Sequence, residues 1–331
     1  MPDVFTHILC GYDTIQGLDQ SLRTEILKKE KLFNLGCQGP DMFFYNDFIP
    51  TAKGKRGPKF GRMMHREKTG DFLVESIDYI KEKRNNKAEF YLLFTYICGL
   101  ICHFSLDRKA HPYIYYFSGK HEKDKPETRK YGGYHKRLEL MIDTILMKER
   151  KNLESFKHQI YEEIDVGQSL PKSIIDYYVY TLSKIYAPKE IINFINDSYK
   201  DMKTVLKLAH DPSGIKKGLM KFIDKIAKDD IEYSTLIYPR KVDNRHDYMN
   251  TKHSFWNHPC DKSEVYSKSF YDVYDIAVKE SLEMIKTAIK YLENKISIDS
   301  LRKVLPNISY ITGKDTNVPC EIIYYKPIFE A

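Results

Sequence analysis

The stretch Cys98-Gly-Leu-Ile-Cys-His103-Phe-Ser-Leu-Asp107-Arg-Lys-Ala-His111-Pro112 constrains the fold more than any other part of the chain. It sets ligand-type side chains at the end of a long apolar run that begins near Phe90. On a helix, residues four apart share a face. His103 and Asp107 therefore project together, and Gly99, one turn earlier, leaves space on the same stripe. Pro112 biases the residue before it away from the α region, so the spacing predicts that the helix ends at His111. An imidazole, a carboxylate and a second imidazole aimed one way suit a divalent metal. Taken alone, they are also what an amphipathic helix with a polar end would show.

Other stretches add to the set. His135-Lys-Arg-Leu-Glu139 repeats the four-residue spacing and opens an amphipathic segment through Leu146. Asn34-Leu-Gly-Cys-Gln-Gly-Pro-Asp41 is rich in turn residues and ends in an acid; His65 follows, and His7 lies near the start. Five histidines (7, 65, 103, 111, 135) and three acids (41, 107, 139) thus fall within the first 139 residues. That is too many ligands for one tetrahedral zinc and suits two or three.

These features, in this order, resemble the zinc-dependent phospholipase C family of bacteria, whose fold is shared with fungal single-strand nucleases. The residues that carry the resemblance are Leu35–Asp41, the His65 segment, His103-x3-Asp107 with His111-Pro112, and His135-x3-Glu139, covering roughly residues 1–145. It implies an all-α, multi-helix bundle around a multinuclear zinc cleft. One ion would be held by His65, His103 and Asp107 with Asp41 close by. A second would be held by His111, His135 and Glu139. A third would use His7, the free amino terminus and the far side of Asp107. Asp41 would be the catalytic base or water-orienting acid, and the reaction phosphodiester hydrolysis of a phospholipid head group or related small diester. The alternatives are a zinc nuclease on single-stranded nucleic acid, in keeping with the net charge of +7 and many aromatics, and a non-catalytic metal-stabilised scaffold. Met42 and Arg62 stand where choline-preferring members carry aromatics, so the resemblance does not carry a choline preference over.

The remaining chain reads as helix at 20–34, 63–83, 135–163, 171–186, 188–209, 214–228, 264–294 and 298–305. Residues 51–61 read as a basic surface loop, with a lid beside a phosphate site as the functional alternative. Residues 118–134 read as a polar loop with His121 in solvent. At 230–262 helical periodicity vanishes. His253, His258 and Cys260 match no standard zinc spacing, so this part reads as an aromatic loop roofing the site. Domain boundaries are expected at 1–228 for the phospholipase C-like part and 229–331 for a C-terminal extension packed on it. No run of consecutive apolar residues reaches transmembrane length, and the start lacks the features of a signal peptide. The chain is therefore expected to be cytoplasmic, with all six cysteines reduced.

Overall fold

The structure, a computed structural model, describes residues 3–48, 56–122, 124–188, 192–227 and 232–330. The chain runs α1 (Val4–Ile15), α2 (Gln20–Leu27), α3 (Glu30–Gly36), a 3-10 turn (Gly39–Tyr45), α4 (Arg56–Met64), α5 (Thr69–Lys81), α6 (Lys87–Ser118) and α7 (Arg129–Lys151). It continues through α8 (Ile160–Glu163), α9 (Lys172–Tyr186), α10 (Ile195–Ala209), α11 (Ile215–Ala227) and a 3-10 turn (Tyr233–Leu236). An antiparallel hairpin of β1 (Trp256–His258) and β2 (Asp261–Tyr266) precedes α12 (Phe270–Leu292) and α13 (Ile298–Val304). The all-α expectation holds, the hairpin aside.

The axis is α6, 32 residues long and buried for most of its length, with α12, α3, α7 and α1 packed around it. By length and composition it could cross a membrane, but 78% of its most apolar window is buried inside the protein, as in a core helix. It does not end at His111. Pro112 lies inside it and the helix closes only at Gly119, whose N–H donates to Tyr115 O (2.9 Å). Proline lacks the N–H that would pair with the Arg108 carbonyl. The turn around Gly313 packs against that carbonyl and against the Pro112 ring, covering the defect from outside the helix. His103, Asp107 and His111 consequently stand on three successive turns of one helix.

Two glycines set how closely α3 meets α6. A Cβ on Gly99 would lie 2.4 Å from Phe33 O, and one on Gly36 would lie 2.2 Å from Tyr96 O. The two backbones touch there, and Gly99 makes room for a neighbouring helix rather than for a bulky side chain. At the start of α1, Asp3 caps the helix through Val4 N (2.8 Å). Asp143 of α7 accepts from the next two amides, Phe5 N (3.0 Å) and Thr6 N (2.9 Å), from the Thr6 hydroxyl, and from Tyr238 Oη (2.6 Å). A carboxylate from a distant helix thus completes the free N–H groups of α1 and fixes its position on α7.

Several sequence expectations shift. The 20–34 helix is broken into α2 and α3. Residues 56–64 are helical rather than loop, and 51–55 of that basic stretch lie outside the described residues. α7 starts six residues before His135 and stops at Lys151, where Asn152 in a left-handed conformation closes it. The segment before Phe270 is strand and cap rather than helix, with Ser269 and Asp272 forming a capping box. His121 is not solvated: both ring nitrogens are buried and have no hydrogen-bond partner among the described residues. Cys260 and Cys320 form a disulfide, so the expectation of six reduced thiols is wrong for these two. The thiol argument for a reducing compartment falls with it. Cys10, Cys37, Cys98 and Cys102 are free and buried.

The glycine contact predicts that Gly99→Ala lowers stability by at least about 2 kcal/mol, because backbone rather than a movable side chain blocks the added methyl. Gly218→Ala, at an exposed helical site with no described atom within 4 Å, should instead stabilise by roughly 0.5–1 kcal/mol. Urea unfolding of the two variants beside the wild type checks both signs.

Candidate metal centre

Each imidazole of the stripe and of the loops around it is oriented by a backbone carbonyl. His103 Nδ1 donates to Cys37 O (3.0 Å), His65 Nδ1 to Gly61 O (2.6 Å) and His111 Nδ1 to Tyr310 O (2.8 Å). In each case the bond assigns the proton to Nδ1 and leaves Nε2 as a lone pair, the arrangement of a ligating histidine. The motif Leu35–Asp41 supplies more than its acid. The α3–α6 contact brings the Cys37 carbonyl to His103. Gly39, at φ +51°, lies where a Cβ would be 2.4 Å from the His103 ring, so only glycine lets the chain turn there and deliver Asp41.

Two groups of ligand-type atoms result, each with its members within 4.8 Å of one another. The first is Asp41, His65, His103 and Asp107. His65 Nε2 is 3.0 Å from Asp41 Oδ1 and 3.6 Å from Asp107 Oδ2; His103 Nε2 is 3.7 Å and 3.3 Å from the same two atoms. The second is His111, His135 and Glu139, with His135 Nε2 2.9 Å from Glu139 Oε1. His7 stands apart from both, its ring stacked on His103 (4.3 Å between centroids) and its Nε2 3.3 Å from Asp107 Oδ1. All eight sequence-predicted residues come together. Asp107 lies between them, one oxygen toward His7 and the other toward His65, His103 and His111. The amino terminus expected beside His7 lies outside the described residues.

The residues fit bound cations. Both oxygens of Asp107, both nitrogens of His7 and Nε2 of His103 are sealed from water with no hydrogen-bond partner among the described residues. Buried polar atoms are almost always satisfied, and a buried carboxylate left bare is costly. Here the bare atoms are imidazole nitrogens and carboxylate oxygens facing one another, a nitrogen–oxygen set suited to zinc. Burial lowers the pKa of His7, His111 and His135, keeping them in the neutral form that binds metal. For His65, burial is outweighed by the carboxylates of Asp107 and Asp41 beside Nε2, which raise it to about 9, and a cation at that nitrogen would replace the proton. Asp107 is held well below the carboxylate range despite its burial, by His103 and His111.

A family model described as zinc dependent phospholipase C matches residues 6–200, more than half of the chain. The chain belongs to that family. No curated protein and no solved structure matches it. The matched region of this zinc-dependent phospholipase C relative holds all eight ligand-type residues, but not the Tyr310 carbonyl that orients His111.

Beside the second group opens a cleft of about 310 Å³. Phe44, Tyr45, Phe48 and Tyr115 give it an aromatic wall, while Met42 is buried in the core and Arg62 is exposed. Sequence reading missed Tyr310. Its N–H donates to His65 O (2.9 Å), its carbonyl takes the proton of His111, and its ring packs on both His65 and His103. Nothing in the sequence marks a residue 199 positions beyond its partner. Lys136 was also missed, though its spacing to Glu139 was readable; it bridges Asp3 (2.9 Å) and Glu139 (3.8 Å) at the cleft wall. The expected roof at 230–262 is corrected in part: Leu236 of that segment lines the cleft, but the aromatic residue Trp256 does not. Trp256 packs on Tyr113 and Tyr266, and further cover comes from Tyr310 over His65 and Ile311 at the cleft. His258, Cys260 and Cys320 lie at ligand distance, but the disulfide occupies both sulfurs and rules out a metal there.

The fit to cations predicts that zinc-loaded protein loses melting temperature on chelation and regains it when zinc is returned. His103→Ala should lower the zinc content and reduce the shift on chelation, read by elemental analysis and calorimetry on the same preparations.

Proposed function

We propose that this protein is a zinc-dependent phosphodiesterase of the phospholipase C type, acting on a phospholipid head group or a related small diester. The observation that carries the reading is the bare, buried Asp107 carboxylate ringed by imidazoles, next to a cleft with an aromatic wall. His65, His103 and Asp107 would hold one zinc ion with Asp41 beside it, and His111, His135 and Glu139 a second. His7, facing the free oxygen of Asp107, would serve a third. Zinc in such a set supplies Lewis acidity toward a phosphoryl oxygen and makes hydroxide available near neutral pH.

The side chains of this chain do the rest. Asp41 orients the attacking water and accepts its proton. Three backbone carbonyls hold His65, His103 and His111 in one tautomer, so no imidazole has to reorganise during turnover. Lys136, fixed by Asp3 and Glu139, puts a positive charge at the wall of a cleft that receives an anionic diester. The aromatic wall takes the apolar part of the substrate and limits bulk water around the diester, leaving the attacking water that Asp41 orients.

Asp41→Asn preserves shape and removes the base. Phosphodiesterase turnover should fall by about 100-fold or more with the zinc content of the wild type retained. Assays on bis-p-nitrophenyl phosphate, phospholipid and single-stranded DNA separate the readings: cleavage of DNA alone would make the protein a nuclease, and no cleavage of any diester would make it a scaffold. His7→Ala should lower the zinc count by one and spare the other two ions. An unchanged count would assign His7 to packing.

A further inference from the structure

α11 carries an apolar stripe that the described residues do not cover. Ile215, Leu219, Phe222 and Ile226 recur at the spacing of one helix face, and they are 75%, 55%, 62% and 65% exposed. At about 100° per residue they fall within roughly 60° of arc. The opposite side, with Lys217, Met220 and Asp224, turns toward the protein. Lys216 flanks the stripe on one side, and Lys221 and Lys225 on the other, all three exposed. Leu208, 66% exposed at the end of α10, lies beside the same helix, where Lys216 Nζ donates to its carbonyl (3.2 Å). Scattered exposed apolar side chains are ordinary, but four on one stripe flanked by three exposed lysines are not. This is the pattern of a helix that lies in a membrane interface, its apolar face among acyl chains and its lysines at anionic head groups.

We propose that α11 docks the protein on the surface of an anionic phospholipid bilayer. The charge of the helix selects this occupant over a second copy of the chain, whose stripe would bring the same lysines against these. The position of the helix adds a second reason. Asp224 accepts from Tyr233 N (2.7 Å) and Ser234 N (3.0 Å), tying α11 to the turn Tyr233–Leu236, and Leu236 lines the cleft beside the metal-ligand residues. The docking helix and the cleft thus share the turn Tyr233–Leu236. The docking deepens the proposed function by stating where substrate is met, and it rests on that reading only for its purpose.

The test is co-sedimentation of the full-length protein with vesicles of phosphatidylcholine alone or mixed with phosphatidylserine, for the wild type, Leu219→Glu/Phe222→Glu and Lys221→Glu/Lys225→Glu. The wild type should bind the mixed vesicles, and salt should weaken that binding. The apolar variant should lose at least about tenfold in partitioning. The lysine variant should lose the preference for anionic lipid. Both should keep wild-type melting temperatures and wild-type turnover of bis-p-nitrophenyl phosphate. Failure of the wild type to bind mixed vesicles overturns the inference, as does unchanged binding by the apolar variant. A wild-type dimer that the apolar variant dissociates, with no vesicle binding, would assign the stripe to a second copy. Vesicle binding without diester cleavage by any of the three proteins would count against the proposed activity and leave the docking helix in place.

Discussion

The buried carboxylate of Asp107 is the constraint on which the rest of the architecture depends. A group of this kind cannot be taken from water without compensation, and among the described residues no hydrogen bond compensates it. Imidazoles from α1, from α6 itself and from the residue after α4 converge on it instead. The helices around α6 are thus arranged as much by the need to bring four histidines to one acid as by apolar burial. α12 and α3, which carry none of the eight, supply the apolar packing that lets such a polar interior be held at all.

Precision at the centre comes from backbone rather than from side chains. Carbonyls of Gly61, Cys37 and Tyr310 aim three of the rings, and glycines at 36, 39 and 99 let the donating chain come near enough. Side-chain partners would bring their own rotamer freedom; carbonyls in packed turns do not. Asp143 has the same role at one remove, seating α1 so that His7 meets the outer oxygen of Asp107.

The sequence disclosed whatever is local or periodic. The four-residue spacings of 103, 107 and 111 and of 135 and 139 put those residues on single faces, and the turn residues before Asp41 marked it as delivered by a loop. It misled where a distant contact overrides a local rule. Pro112 ordinarily ends a helix, and here the turn at Gly313 covers the carbonyl it exposes, so α6 runs on to Ser118. His121 looked solvated because its neighbours in sequence are polar, yet its ring nitrogens are buried. The pairing of Cys260 with Cys320, 60 residues apart, and the reach of Tyr310 to His111 depend on the completed fold and have no local signature.

The Tyr310 turn also bears on the order in which the molecule can be completed. The ligand-type residues all lie in the first 139 positions and leave the ribosome early, but the carbonyl that fixes His111 and the cover over His65 arrive only with residue 310. That turn is in turn held by His258, whose Nε2 donates to Thr312 O (2.9 Å). A nascent chain therefore carries the donors long before it carries their alignment. The alignment of His111 is complete only in a chain that extends through the Tyr310 turn.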